Sequence, residues 1–343
     1  MAKKQTILVT GSAGFMGSHL ADYLEERGHD VHGIDDLSGG FLRNVKNKKK
    51  FTKLDLRDRK KTATHIARLK PTVIFHLAAD ATEGRSQFTP FSALDRNLGA
   101  YINLLVPAIR HGMKKMILTS SMSVYGSQQA PFREEMDPKP EDIYGTMKTA
   151  MELTTKIMAQ VYGFTWVIAR PHNVYGPRQS LGDPYRNVLG IFINALLRGK
   201  KFYIYGDGEQ ERAFSYITDV TPIMAKAGFA KAAEGQIINI GSDENVTVNH
   251  VARLVLEEFF HGAIPKKFEP QYLPLRPQEV KYAFCAHDAL AELMNYRAKT
   301  SLRTGIREMI AWARALGPQE VQYLEEMDLD HKDIPKTWTH KLY

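Results

Sequence analysis

One cysteine, Cys285, among 343 residues leaves no partner for an intramolecular disulfide and no basis for a Cys-based zinc cluster. Stability must then come from a hydrophobic core, which a chain of this length can bury without covalent staples. The same scarcity suits a reducing compartment, so a cytoplasmic location is expected. No stretch approaches the roughly 18 uninterrupted apolar residues of a membrane span. The first apolar run, Thr6 to Thr10, is too short for the core of a signal peptide, and no small-residue cleavage site follows. A soluble protein with no membrane association and no metal site is expected. Acidic residues are the scarcer charge, 38 against 46 Lys and Arg, for a net +8. Lys46 to Lys50 and Arg57 to Lys61 concentrate that excess, yet no aromatic residues interleave with these lysines as they do in single-strand binders. A solvated basic surface is expected there, and nucleic acid is not expected as a partner.

What is present is an alternation of strand-like and helix-like segments. Thr6 to Thr10 (TILVT) stops at Gly11. Phe15 to Arg27 carries apolar residues at helical spacing, with Gly28 as its C-cap. Asp30 to Ile34, Thr72 to Leu77, Lys115 to Ser120 and Trp166 to Ala169 read as further strands, with helices over Leu94 to Arg110 and Thr146 to Val161. This order predicts a doubly wound, Rossmann-type parallel sheet, joined to a smaller α/β substrate-binding domain. Residues 1–172 are expected to form the first domain, completed by about 213–242, where Gln236 to Ile240 reads as another buried strand. Residues 173–212 and 243–316 are expected to form the second. Residues 317–343 have no assigned role.

Gly11, Gly14 and Gly17 lie between the first strand and the first helix. Glycine there permits a tight turn and close approach of backbone to a pyrophosphate, with the helix N-terminus beyond it. Asp35, 18 residues after Gly17, ends the second strand, where a carboxylate accepts hydrogen bonds from both ribose hydroxyls and repels a 2′-phosphate. NAD is therefore expected over NADP. Asp55 and Leu56 follow the next short strand, where an adenine contact and a plain loop role are both open.

Tyr144 and Lys148 stand at i and i+4 and share a helix face. A free phenol titrates near pH 10, and the neighbouring ammonium and a bound nicotinamide cation are expected to lower that value. A phenol so tuned can take and return a hydroxyl proton. Thr119 to Gly126 begins at the end of the Lys115 to Ser120 strand, where open α/β sheets bind ligands, and a serine hydroxyl there can share the same substrate oxygen.

The motifs GSAGFMG, Asp35, HLAA (His76 to Ala79), Asn97, TSSMSVYG, YGTMK, RPHNVYGPRQ, GDGEQERAFSYITDV and Arg276 occur in order over about residues 6–315. Together they resemble the extended short-chain dehydrogenase/reductase group, in its nucleotide-sugar epimerase and dehydratase branch. The resemblance implies Ser121, Tyr144 and Lys148 as the catalytic set. It implies cofactor contacts from Phe15, Met16, Asp55, Leu56, Leu77, Ala78, Ala79 and Asn97 besides the glycines and Asp35. It also implies substrate contacts from Ser121, Ser123, Asn173, Arg212 and Arg276, and a homodimer through helices near 95–111 and 146–161. Val280 to Phe284 matches a family gate for N-acetyl groups, with Tyr282 or Ala283 as the gate residue; a bulky Tyr282 there favours plain hexoses or uronates. The chain departs from the pattern at Ala81, where 4-epimerases commonly carry lysine, with Asp80 and Glu83 nearby. It departs again at His172, where an aromatic residue is common.

Dehydratases of that branch carry Asp-Glu just before Val-Tyr-Gly, and decarboxylases a Glu; here Met122 and Ser123 stand in those places. A 4-epimerase needs only the tyrosine, the serine and reversible hydride transfer through a 4-keto sugar. NAD-dependent 4-epimerisation of a nucleotide sugar, UDP-hexose first, is the expected activity. The alternatives are 4,6-dehydration, decarboxylation and epimerisation at another carbon. A non-catalytic, RNA-associated or regulatory protein on the same scaffold is the remote one.

Overall fold

Ile7 and Val9 face one side of a sheet and Leu8 the other, all three buried, because successive side chains of a strand alternate. Both faces must therefore be covered, and they are. The computed structural model describes residues 5–275 and 280–343. Its first half runs β1 (Thr6–Thr10), α1 (Phe15–Glu26), β2 (Asp30–Asp35), β3 (Phe51–Lys53), α2 (Arg59–Leu69) and β4 (Val73–His76). Then follow two single turns, α3 (Glu83–Ser86) and α4 (Pro90–Ala93), and α5 (Ala100–Arg110), β5 (Lys115–Thr119), α6 (Ile143–Tyr162) and β6 (Thr165–Pro171). The second half runs β7 (Val174–Tyr175), α7 (Val188–Leu197), β8 (Tyr203–Tyr205), β9 (Glu211–Ala213), β10 (Ser215–Tyr216), α8 (Ile217–Ala227) and β11 (Gln236–Ile240). It ends with β12 (Asn245–Thr247), α9 (Val248–Phe260), β13 (Gln271–Leu273), β14 (Tyr282–Ala283), α10 (Asp288–Met294), α11 (Leu302–Leu316) and α12 (Lys336–Thr339).

Seven strands form one parallel sheet in the order β11-β6-β5-β4-β1-β2-β3. This is the Rossmann-type doubly wound arrangement. Its order reverses between β1 and β4, which opens a crevice at their carboxyl ends. One face packs on α1 and α8 through Leu20, Leu24, Val220 and Met224; the other packs on α5 and α6 through Leu104, Leu105 and Met151. A separate core joins α7, α9 and α11 through Phe192, Val255, Ile306 and Met309. Small sheets (β12-β9-β14, β13-β8 and β10-β7) border that core.

Two helices differ from their expected extent, and both differences matter. α6 begins at Ile143 rather than Thr146, because the Asp142 carboxylate caps it by accepting the Gly145 amide at 2.6 Å. Tyr144 thus sits in the first turn. The helix expected over Leu94 to Arg110 opens with a π-helical turn, Leu94–Gly99, which brings Asn97 inward. The Asn97 side chain accepts the Asp80 amide at 3.2 Å and donates to the Ala93 carbonyl at 2.9 Å.

Residues 317–343 fold back over the molecule. The Gln322 amide donates to the Gly182 carbonyl at 2.8 Å, the Leu324 amide to the Tyr185 hydroxyl at 2.8 Å, and the Trp338 ring nitrogen to the Pro184 carbonyl at 3.0 Å. Trp338 also meets Phe88 and Tyr185 edge to face. The basic segments carry partners: Lys46 pairs with Asp22 and Glu26, Lys50 with Asp30, Arg57 with Asp55 and Lys61 with Asp58. Among the described residues no helix is long and apolar enough to cross a membrane.

Candidate active site

The turn after β1 needs glycine for room. A Cβ on Gly17 would lie 2.1 Å from the Gly11 carbonyl oxygen, and one on Gly11, itself at φ +68°, would lie 2.9 Å from the Ala78 nitrogen. Gly14 caps α1 without a side-chain acceptor for the first-turn amides, which are free to receive a phosphate. Asp35 is buried at the end of β2, where its carboxylate accepts the Ala13 amide at 3.1 Å and the Leu37 amide at 2.7 Å. Burial pushes its pKa above the ordinary carboxylate value against those two bonds. The turn, the helix end and the carboxylate fit NAD. Gly11, Gly14 and Gly17 would hold its pyrophosphate, and Asp35 its ribose.

These residues line one wall of a cleft of about 1070 Å³. That is the upper end of the range for ligand sites, about 300–1,000 Å³, and has room for a dinucleotide beside a second ligand. Phe15, Met16, Asp55, Leu56, Leu77, Ala78 and Ala79 line it as well, and so do Ser121, Ser123, Tyr144, Lys148, Asn173 and Arg212. Asn97 does not; it braces the Asp80 backbone from behind. Arg276 lies outside the described residues. In β14, Ala283 lines the cleft and is 7% exposed, whereas Tyr282 is 46% exposed on the outer side under Lys281. A strand's alternation puts only one of the two inward. Of the two expected gate residues, Ala283 therefore lines the cleft and Tyr282 does not.

Tyr144, Ser121 and Lys148 converge beyond the ends of β4 and β5. Ser121 and Tyr144 line the same cleft; the Ser121 hydroxyl accepts the Ser123 amide at 3.1 Å, and it acts to lower the pKa of the Tyr144 phenol. Lys148 donates to the Thr119 carbonyl at 2.8 Å, with its nitrogen 5.5 Å from the centre of the Tyr144 ring. Burial lowers its pKa to about 8 although Glu152 and Glu83 oppose this. The expectation that this lysine pulls the phenol down is not met in the protein alone. Burial raises the Tyr144 pKa, and the carboxylates of Glu83 and Asp142 push it the same way. Beneath the site His76 is buried with Nδ1 2.9 Å from the Thr10 hydroxyl, and burial lowers its pKa to about 3. His172, on the cleft wall, stacks on His287 and is likewise lowered to about 3, first by burial and then by His287.

Several groups at the sugar end escaped sequence reasoning. Asp142 caps α6 and receives the Ser123 hydroxyl at 2.5 Å; an Asp just before a helix was the available signal. Tyr185 and Arg186 arrive on the loop before α7, and Thr337, Trp338 and Tyr343 arrive on the tail. No local pattern marks any of these.

A dinucleotide-binding fold with a Ser-Tyr-Lys set defines a class of enzymes that move hydride and proton together. Residues 7–241 match the model of the NAD dependent epimerase/dehydratase family, and the chain belongs to that family. It is 33% identical over 316 residues to a UDP-glucose 4-epimerase of Mycolicibacterium smegmatis, covering 90% of this chain and 98% of the relative. It is 30% identical to a UDP-N-acetyl-alpha-D-glucosaminuronate decarboxylase of Bacillus cytotoxicus, over 91% of this chain and 99% of that one. Among solved structures, the UDP-glucose 4-epimerase of Thermotoga maritima with UDP-glucose superposes with a TM-score of 0.84 at 32% identity, covering 91% of this chain and 99% of that one. The protein is thus an NAD-dependent enzyme of the nucleotide-sugar epimerase and dehydratase type.

Proposed function

We propose that the protein is a nucleotide-sugar 4-epimerase, with UDP-hexoses as the first candidates. The supporting observation is the convergence of Tyr144, Ser121 and Lys148 on a cleft that also carries the glycine turn and Asp35. NAD, when bound, supplies a reversible hydride acceptor. Tyr144 takes the proton of the sugar 4-hydroxyl and returns it, while Ser121 holds the same oxygen. Lys148 supports the phenolate by its charge. We assign Asn173 and Arg212 to the diphosphate; the Asn173 side-chain amide is oriented by donation to the Ala213 carbonyl at 3.0 Å. Ser123, anchored by Asp142, and Ala283 shape the sugar end. We assign Arg276 to the diphosphate and residues 1–172 with 213–242 to the cofactor domain on the motif pattern.

A homodimer belongs to the same proposal. Leu153, Ile157 and Val161 fall at i, i+4 and i+8 on α6 and are 52%, 60% and 66% exposed, an apolar stripe suited to a second copy. Buried Cys285 fits a reducing compartment such as the cytoplasm.

Incubation with NAD and candidate UDP-sugars tests the reaction. The expected product is the C4 epimer, of unchanged mass, with no net consumption of NAD. A second reading, dehydration, is favoured by one observation: Glu83 and Asp142 bring Tyr144 the carboxyl groups that Met122 and Ser123 lack. A product lighter by one water would establish it, and loss of carbon dioxide would establish a decarboxylase.

A further inference from the structure

We propose that Glu83 is a specificity-determining carboxyl at the sugar end of the cleft, selecting neutral or amino sugars over sugars that carry a carboxylate. The inference rests on the nucleotide-sugar reading above and deepens it.

The placement comes from the backbone. Glu83 opens α3, and its carbonyl accepts the Ser86 hydroxyl at 2.7 Å; that hydroxyl oxygen in turn accepts the Tyr144 amide at 3.1 Å. One side chain thus ties the turn bearing Glu83 to the helix turn bearing the base. Glu83 and Tyr144 line the same cleft, and the Glu83 charge is felt by both Tyr144 and Lys148.

The charge around this point is unbalanced. Arg85 is held by Asp80 at 2.7 Å and Arg186 by Asp183 at 2.7 Å, so each arginine already carries its own acid. Lys148 is turned to the Thr119 carbonyl. Among the described residues neither Glu83 nor Asp142 has a salt-bridge partner, although Arg186 acts on Glu83 from the loop before α7. Asp142 is satisfied by the Ser123 hydroxyl and the Gly145 amide, whereas Glu83 is an exposed residue of the cleft lining. A sugar carboxylate entering here meets like charge, which disfavours binding; hydroxyl and ammonium groups meet an acceptor.

The protonation of Glu83 makes this selection depend on pH. The Glu83 side chain is exposed to the cleft but surrounded by protein otherwise. Burial, then Asp142, pushes its carboxyl up to about 7, with Asp80 adding to the rise and Arg186 opposing it. Above that value the group is anionic and discrimination is full; below it, the carboxylic acid can donate to a uronate and discrimination relaxes.

The test is calorimetric binding of UDP-glucose and UDP-glucuronate to the NAD-loaded protein, at about pH 6 and about pH 8.5. UDP-glucuronate should bind roughly tenfold or more weakly at the higher pH, and the gap should narrow at the lower. Glu83→Gln, nearly isosteric, should narrow the gap at both pH values while leaving UDP binding unchanged. Equal or tighter binding of UDP-glucuronate to the unmodified protein at the higher pH overturns the inference, and so does a gap unchanged in the variant. The comparison of the two nucleotide sugars on the unmodified protein at the higher pH decides the matter by itself should the variant fold poorly. Binding of neither nucleotide sugar overturns the proposed function and this inference with it.

Discussion

Arg170 and Glu152 form a buried two-pronged ion pair, Nη2 to Oε2 at 2.6 Å and Nε to Oε1 at 2.9 Å. The same carboxylate accepts the Ser120 hydroxyl at 2.5 Å. The pair therefore locks β6 and α6 to the residue that precedes Ser121. Removing one member leaves a buried charge unpaired. Glu152→Ala should lose about 3–5 kcal/mol of stability, read from the denaturation midpoint, and Glu152→Gln less. A loss near zero for the alanine variant would show that the pair does not hold the strand.

Tyr144→Phe keeps the ring and removes the proton-transfer group. Turnover should fall by about 10²-fold or more, with cofactor affinity little changed. Near-normal turnover in this variant would remove Tyr144 from the mechanism.

His76 and His172 are buried and neutral, with pKa values lowered to about 3 from an ordinary 6.5. Between those values the unfolded chain binds protons that the folded chain does not. Stability should therefore be full above about pH 6.5 and fall as pH drops toward 3, at about 1.4 kcal/mol per pH unit for each histidine. Urea unfolding at neutral and mildly acidic pH checks the slope, and His172→Phe should make it shallower. An unchanged slope in that variant would place the acid sensitivity elsewhere.

Trp338 ties the tail to the loop bearing Arg186 and to the segment following α3. Trp338→Ala should destabilise the protein by about 3–5 kcal/mol and raise KM for the nucleotide sugar more than the Kd for NAD. Equal losses for both ligands would mean that the tail supports the whole fold rather than the sugar end.

Ala283 is the inward residue of β14 and lines the cleft, so a large side chain there should narrow it. N-acetylated UDP-sugars should be accepted alongside plain ones, and Ala283→Tyr should lower their kcat/KM selectively by roughly tenfold or more. Equal losses for plain and N-acetylated sugars in the variant would show that position 283 does not gate.

Local pattern carried the sheet and the cofactor end because both are written in short range. β1 and β4 are apolar runs, the glycine turn is a spacing, and Asp35 ends its own strand. Tyr144 and Lys148 are one helical turn apart, so their shared face was legible before any fold was known. How the remaining groups of the sugar end come together was decided by tertiary structure. Glu83, Asp142, Arg186 and Trp338 are far apart in the chain, and only the packing of α3, the start of α6, the loop before α7 and the tail brings them to one wall. The choice between Tyr282 and Ala283 depended on which side of a two-residue strand faces inward, which pairing with β9 settles and composition does not. The Tyr144 phenol makes the same point about charge. Sequence spacing places a lysine beside it and predicts a lowered pKa, but burial and carboxylates from distant segments, which no spacing encodes, raise it.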